Sequence, residues 1–190
     1  MLATWSHWQL AVWQLEWHWH FPSGNWYLFY LQMTIHPLTK IGHVHLTVAD
    51  LDRALAFYRD VLGFEVTARY GRDAVFLSAG GYHHHIGLNT WAGRGAPRPA
   101  AGTTGLYHFA ILFPDRRELA RAVQRVLDAG APLEGASDHG VSEAIYLRDP
   151  DGNGVELYRD RPENEWPRSE DGSVQMSTKG LDLAALLREA

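Results

Sequence analysis

The sequence predicts an α+β fold of two consecutive βαβββ modules, forming a curved, incomplete-barrel mixed sheet with the helices outside. Two observations lead to this prediction. The stretches 41–63 and 106–130 both run from an alternating strand through an aspartate into an amphipathic helix that ends at a glycine. Short alternating runs bounded by turn residues follow each helix, which is the pattern of further strands.

In the first module, the alternating strand at 41–48 leads to Asp50, which is placed to cap an amphipathic helix ending near Gly63. Three short runs after this helix predict strands: FEVTARY, AVFLSAG and HHHIGLN. Residues 90–105 are rich in glycine, proline and alanine, so they form the predicted connector to the second module.

The second module repeats this order, with a strand at 106–113 and a helix that begins after Asp115. Two later strands are predicted by EAIYLRD and GVELYRD. Between them, RDPDGNG at 148–154 predicts a tight turn in which the aspartates and the asparagine have turn-forming roles.

The two modules are in register. His43 stands seven residues before Asp50, and His108 stands seven residues before Asp115, so the two histidines are equivalent in the repeat. The repeat predicts one domain and a tail that ends in a short helix, with these bounds: domain 39–160, modules 39–92 and 103–160, tail 161–190.

The N-terminal stretch 1–32 differs from the rest, because it holds six of the eight tryptophans and no lysine or arginine. It lacks the positive start of a signal peptide and is too often interrupted by polar residues to span a membrane. An amphipathic helix on a membrane or partner and an ordinary extra helix are open interpretations. We favour a third, that these residues are not native, since ordinary composition resumes at Met33.

Composition narrows the function classes. The net charge of -5 with interspersed signs offers no basic patch, so we expect no nucleic-acid partner, and we expect no membrane partner either. The absence of cysteine excludes disulfides and thiolate ligands, so any metal must be held by imidazole and carboxylate. A cytoplasmic location is the expectation.

Strand alternation separates polar from apolar faces. In 41–48, His43, His45 and Thr47 share one face, and the valines and the leucine of the strand share the other. His108, Tyr146 and Glu156 alternate with apolar neighbours in the same way. A curved sheet with these polar positions on its inner face would bring them into one cleft.

Four motifs resemble a known family: GHVHLTVADLDRALAFYRDVLGFEV, GLYHFAIL, SDHGVSEAIYLRDPDGNGVELYRDRPENEW and LDLAALL. The family is the vicinal oxygen chelate superfamily of glyoxalases, bleomycin-resistance proteins and type I extradiol dioxygenases. The likeness covers most of 36–190 and is greatest to catechol 2,3-dioxygenase-like members. It implies that His43, His108 and Glu156 are metal ligands. Two imidazoles and one carboxylate form the facial triad expected of Fe(II), with Mn(II), Ni(II) or Zn(II) as alternatives.

The resemblance also implies roles around the metal. Tyr146 is placed to hydrogen-bond a substrate oxygen, and His139 and His45 to line the substrate pocket. A histidine of the triplet at 83–85 is expected to act as acid and base, because imidazole titrates near neutrality. Alternation groups His83 with His85 on one face, so we predict His85 for this role, with His83 as a substrate contact or substitute.

The implied function is an Fe(II)-dependent extradiol ring-cleavage dioxygenase that takes a catecholic substrate and O2. A fourth protein ligand from His83 or His85 would instead make a glyoxalase-like lyase or isomerase. A binding protein of the bleomycin-resistance type, without chemistry, is the third possibility. Family members commonly form homodimers, so a homodimer is expected.

Overall fold

The computed structural model of the chain describes residues 34–100 and 102–190, so the stretch 1–32 discussed above lies outside the described residues. The chain divides into two units, Met1–Ile41 and Gly42–Ala190, and of the first only residues 34–41 are described. Residues 34–41 of the first unit are exposed. The sheets and the candidate site belong to the second unit.

The first module forms a four-stranded mixed sheet in the order β1-β4-β3-β2. β1 and β4 pair in parallel, whereas β4 with β3 and β3 with β2 pair antiparallel. The strands are β1 Val44–Thr47, β2 Glu65–Tyr70, β3 Ala74–Ser78 and β4 Ile86–Asn89.

The second module forms a sheet of the same design, to which the tail adds a fifth strand, β9, in the order β5-β8-β7-β6-β9. β5 and β8 pair in parallel and the other neighbours pair antiparallel. The strands are β5 Phe109–Leu112, β6 Leu133–Asp138, β7 Ser142–Arg148, β8 Gly154–Asp160 and β9 Lys179–Gly180. The predicted α+β fold of two βαβββ modules is therefore confirmed, with one sheet per module, and the strands within the described residues do not close into a barrel.

The two main helices begin as the repeat predicts. Asp50 accepts a hydrogen bond from the Arg53 amide at 3.0 Å, and Asp115 accepts one from the Glu118 amide at 2.8 Å, so each aspartate is an N-cap. The first helix changes to a π-helical turn after one α-helical turn. The helical elements are α1 Leu51–Leu55, the π-helical turn Ala56–Val61, α2 Arg116–Asp128, the 3₁₀ turn Glu163–Glu165 and α3 Leu183–Leu187.

The core lies between the sheets and the helices. Leu46 and Val48 of the first strand region are buried, while His43, His45 and Thr47 are exposed, as the alternation predicts. α2 buries one face in the same core, formed by Leu119, Ala120, Ala122, Val123 and Val126. None of the helices within 34–100 and 102–190 has the length and apolar composition needed to cross a bilayer.

The turn between β7 and β8 has the predicted structural role and also joins the modules. Asp149 accepts hydrogen bonds from the amides of Asp151 and Asn153 within the turn. The buried Tyr58 of the first module donates its hydroxyl to Asp149 Oδ2 at 2.8 Å, and Arg53 pairs with Asp151 at 2.5 Å. Charged groups of one turn therefore hold the first helix of the other module.

Candidate metal and substrate site

His108 and Glu156 meet where the parallel strands β5 and β8 lie side by side. His108 immediately precedes β5, and the pairing of Ala110 with Glu156 brings the carboxylate to the same edge. His108 Nε2 lies 2.9 Å from Glu156 Oε2. His108 Nδ1 is buried and has no hydrogen-bond partner among the described residues. The ring is thus oriented by its contact with the carboxylate.

Tyr146 completes this group from the neighbouring strand. It lies directly opposite Glu156 in the antiparallel β7–β8 pair, and its hydroxyl is 3.2 Å from Glu156 Oε1. His139 Nε2 lies 2.8 Å from the same hydroxyl. The residues predicted as ligands from the second module and the predicted tyrosine and pocket histidine therefore form one connected cluster.

The hydroxyl of Tyr146 is held in its protonated form. Burial, followed by the charge of Glu156, raises the pKa of Tyr146 to about 12. At neutral pH this residue is consequently a neutral phenol, which can donate one hydrogen bond and accept others.

A cavity of about 250 Å³ opens beside this cluster, between the start of β5 and the strands β6 to β8. Tyr107 lines it together with His108 and Tyr146. The Tyr107 side chain is 81% exposed and its ring centroid is 5.4 Å from that of His108. Sequence reasoning missed Tyr107, although its place directly before His108 and ahead of the strand could have indicated an open aromatic at the site.

His43 is part of a second, purely imidazole group. Its ring centroid is 4.4 Å from that of His84, and His84 Nδ1 is 2.7 Å from His83 Nδ1. Burial, and then the neighbouring imidazoles beginning with His43, lower the pKa of His84 below its usual value. His84 is therefore favoured in its neutral form, able to accept a proton.

The alternation predicted for the triplet is wrong. Residues 83–85 lie in a bend ahead of β4, which begins at Ile86, so the strand period does not apply to them. His83 and His84 consequently contact each other. His85 turns instead to Ser78, with its Nδ1 3.1 Å from the serine Oγ, and this nitrogen also accepts from the Ala79 amide at 3.3 Å.

His45 belongs to an aromatic cluster. Its ring lies 5.8 Å from that of Phe76 and 5.6 Å from that of Trp91. It also covers Gly87, where an added Cβ would be 2.9 Å from the ring. Gly87 pairs with His45 as Glu156 pairs with Ala110, so the first module carries a glycine where the second carries its carboxylate.

The predicted ligands thus lie in two groups, His43 beside His84 and His108 beside Glu156. Within the ranges that the structure describes, no set of three histidine, aspartate or glutamate side chains is arranged to hold a metal ion. The spacing of His108 and Glu156 nevertheless suits a metal ion. Two ligand atoms about 2.1 Å from one ion and at right angles are roughly 3.0 Å apart, close to the separation of His108 Nε2 and Glu156 Oε2.

Comparison with known families identifies the domain. The family described as the Glyoxalase/Bleomycin resistance protein/Dioxygenase superfamily matches residues 40–157, which cover nearly all of both modules and the cluster around Glu156. The chain belongs to this superfamily. The match confirms the family to which the strand, turn and histidine motifs pointed, and its span contains all eight predicted site residues.

Two curated members of the superfamily carry dioxygenase names. A catechol-2,3-dioxygenase of Bacillus subtilis (strain 168) is 45% identical over 157 residues, covering 83% of this chain and 54% of that protein. A biphenyl-2,3-diol 1,2-dioxygenase of Rhodococcus globerulus is 36% identical over 129 residues, covering 67% of this chain and 66% of that protein. The chain therefore spans about half of the first relative and two thirds of the second.

A solved structure of the superfamily has a related fold. The lactoylglutathione lyase from Agrobacterium tumefaciens superposes with a TM-score of 0.50 at 30% sequence identity, covering 65% of this chain and 96% of that one. The chain is thus similar in sequence to proteins named as dioxygenases and in fold to one named as a lyase. The fold alone does not choose between these activities.

Proposed function

We propose that the protein is a metal-dependent extradiol dioxygenase that opens a catecholic ring with O2. The observation that carries the proposal is the group of His108, Glu156 and Tyr146 on neighbouring strands. It is supported by the similarity to relatives named as catechol and biphenyl-diol dioxygenases.

The proposed metal ligands are His43, His108 and Glu156. Their imidazole and carboxylate donors suit a divalent ion, and Fe(II) is proposed, with Mn(II), Ni(II) and Zn(II) as the alternatives to test. When bound, such an ion supplies adjacent open positions for the diol and for dioxygen. His43 is included because it stands before β1 as His108 stands before β5.

The substrate would bind in the cavity beside His108. The exposed ring of Tyr107 offers an apolar face to a planar aromatic diol. The neutral hydroxyl of Tyr146 can hydrogen-bond a diol oxygen, and it also lies within hydrogen-bond distance of His139 and Glu156. In the first module, we propose His45 and His83 as substrate contacts, as the sequence predicts.

For proton transfer we propose His84 in place of His85. His84 is the member of the triplet whose ring contacts His43, and the direction of its pKa shift leaves it neutral and ready to take a proton from the diol. His85 instead has its Nδ1 held by the Ser78 hydroxyl and the Ala79 amide, whereas the Nδ1 neighbour of His84 is a second imidazole, that of His83.

The test is anaerobic loading with Fe(II), followed by catechols and air. Ring opening next to the diol gives a yellow product, and we expect it from at least one simple or aryl-substituted catechol. Parallel loading with Mn(II), Ni(II) and Zn(II) identifies the productive ion. Absence of product over a broad catechol panel with every ion would overturn the proposal.

A matched pair of variants tests the site. Glu156→Gln removes a proposed ligand charge, and we expect it to abolish metal binding and turnover. Glu65→Gln makes the same change at an exposed position of β2, and we expect both properties to be retained. Elemental analysis after gel filtration measures the bound metal. Equal losses in both variants would contradict the assignment of Glu156.

Two other outcomes would redirect the proposal. A metal-loaded structure with four protein ligands would favour a glyoxalase-like lyase or isomerase. Retained affinity for an aromatic ligand in His43→Ala and His108→Ala, without metal binding or turnover, would favour a binding protein. The predicted homodimer is to be tested separately by light scattering coupled to gel filtration.

A further inference from the structure

We propose that the C-terminal segment Val174–Leu181 is a positioning element for Tyr146. It fixes the tautomer of His139, and this tautomer directs the hydroxyl proton of Tyr146 toward His139 and away from Glu156. The inference deepens the proposed function, because it concerns the hydroxyl proposed to contact the substrate. The hydrogen bonds on which it rests, however, require neither a bound metal nor turnover.

The segment is attached along the outer edge of the second sheet. The Ser177 amide donates to the His139 carbonyl oxygen at 3.0 Å. β9 pairs with the end of β6, and the Leu181 amide donates to the Ala136 carbonyl oxygen at 3.2 Å. Backbone hydrogen bonds therefore hold the Ser177 peptide beside the His139 ring.

Gly140 shows how closely the chain packs at this point. Its φ of +77° is in the left-handed region, and a Cβ there would be 3.1 Å from Pro167 Cγ and 3.6 Å from Ser177 Oγ. The loop that carries His139 and the C-terminal segment thus approach each other at a position that suits only glycine. This contact limits movement of the ring relative to Ser177.

The hydrogen bonds determine where the ring carries its proton. His139 Nδ1 lies 2.8 Å from the Ser177 carbonyl oxygen, and a carbonyl oxygen can only accept. Nδ1 must therefore be the protonated nitrogen. In a neutral imidazole the other nitrogen, Nε2, is then an acceptor.

The phenol of Tyr146 has one proton and two neighbouring acceptors. His139 Nε2 is 2.8 Å away, whereas Glu156 Oε1 is 3.2 Å away. The hydroxyl is placed to donate to Glu156 as well, but the shorter contact and the unprotonated Nε2 favour His139 as the acceptor. Glu156 consequently keeps both carboxylate oxygens free of the phenol proton, and the lone pairs of the hydroxyl remain available to accept a further hydrogen bond.

Long-range ¹H–¹⁵N spectra of the full chain with ¹⁵N-labelled histidine test the tautomer directly. The His139 signals are assigned by their loss in His139→Gln. At pH 7.5 without metal, we expect a pyrrole-type nitrogen at Nδ1 and a pyridine-type nitrogen at Nε2. The reverse pattern, or two pyrrole-type nitrogens of an imidazolium, would overturn the inference.

Three variants identify which group sets the tautomer. Tyr146→Phe removes the hydroxyl that donates to His139 Nε2 but leaves the Ser177 carbonyl oxygen beside Nδ1. We therefore expect Nδ1 to stay protonated in this variant. Ser177→Pro removes the amide that ties the segment to His139, and we expect loss of the pattern. Ser177→Ala changes only the side chain and should resemble the wild type.

The outcomes separate this inference from the dioxygenase proposal. A change of tautomer in Tyr146→Phe, or none in a folded Ser177→Pro protein, would show that the segment does not set it. If Ser177→Pro fails to fold, the Tyr146→Phe spectrum still decides the point. A protein without ring-cleavage activity could retain the Nδ1–H pattern, and an active one could lack it.

Discussion

Gly154 begins β8 beside the proposed metal ligands His108 and Glu156, and we expect its replacement by alanine to destabilise the protein. A Cβ at this position would lie 2.2 Å from the Tyr107 carbonyl oxygen and 2.9 Å from His108 Cβ. Cβ contacts under 3.0 Å are essentially never found, so β8 and the start of β5 would have to separate by about 0.8 Å to lengthen the first contact from 2.2 to 3.0 Å.

The size of the loss in stability follows from the main-chain movement that the added Cβ requires. Overpacking usually costs about 1–3 kcal/mol, and the upper end applies because the obstructing atom is main chain rather than the tip of a flexible side chain. Separation also weakens the β5–β8 ladder, at about 1 kcal/mol for one hydrogen bond. We therefore expect Gly154→Ala to lower the free energy of unfolding by ~3–4 kcal/mol, with a Tm lower by ~6–16 °C.

Urea unfolding followed by circular dichroism measures the loss, and metal titration reports the displacement of His108. Gly180→Ala is the matched control, since Gly180 is also a strand glycine but a Cβ there meets nothing within 4 Å. We expect that variant to stay within about 0.5 kcal/mol of the wild type. An equally small effect of Gly154→Ala would refute the packing argument.

Three further outcomes are expected. Tyr58→Phe removes a buried hydroxyl that donates to Asp149, so thermal unfolding should show a loss of about 1.5–3 kcal/mol, against almost none for the exposed Tyr70→Phe. Ultraviolet titration should find Tyr146 ionising with a pKa of about 12. Because the pKa of tyrosine in the unfolded chain is near 10, the contribution of Tyr146 to the free energy of unfolding is complete below pH 10 and is lost as the pH rises toward 12. The variant Tyr146→Phe should not show this loss. Proton NMR should find His84 titrating below 6.5, and a value at or above 6.5 would contradict its proposed desolvation.

Local pattern was sufficient for most of the fold. The aspartate caps at Asp50 and Asp115, the two module sheets and the buried side of β1 all follow from periods of 2 and 3.6 residues and from capping chemistry. The approach of Glu156 to Tyr146 could also be predicted, because a tight turn joins their strands. The π-helical turn after Leu55 could not, since its residues keep the pattern of an ordinary amphipathic helix.

The contacts of the histidine triplet could not be predicted from local pattern. Which ring meets His43 depends on a bend before β4, and the strand period carries no information about a bend. The contact between Ser177 and His139 joins residues 38 positions apart, and nothing in the polar tail indicated it. Such contacts depend on how separately formed elements pack.

The sequence by itself determined the superfamily, the two-module repeat and which side of the first strand is polar. These properties are local, since periodicity, capping and turn chemistry involve residues that are close along the chain. Only the tertiary structure decided that His108 pairs with Glu156 while His43 contacts His84, and that Ser177 orients His139. Those choices depend on distances of a few ångströms between elements remote in sequence, where hydrogen-bond geometry selects one partner over another.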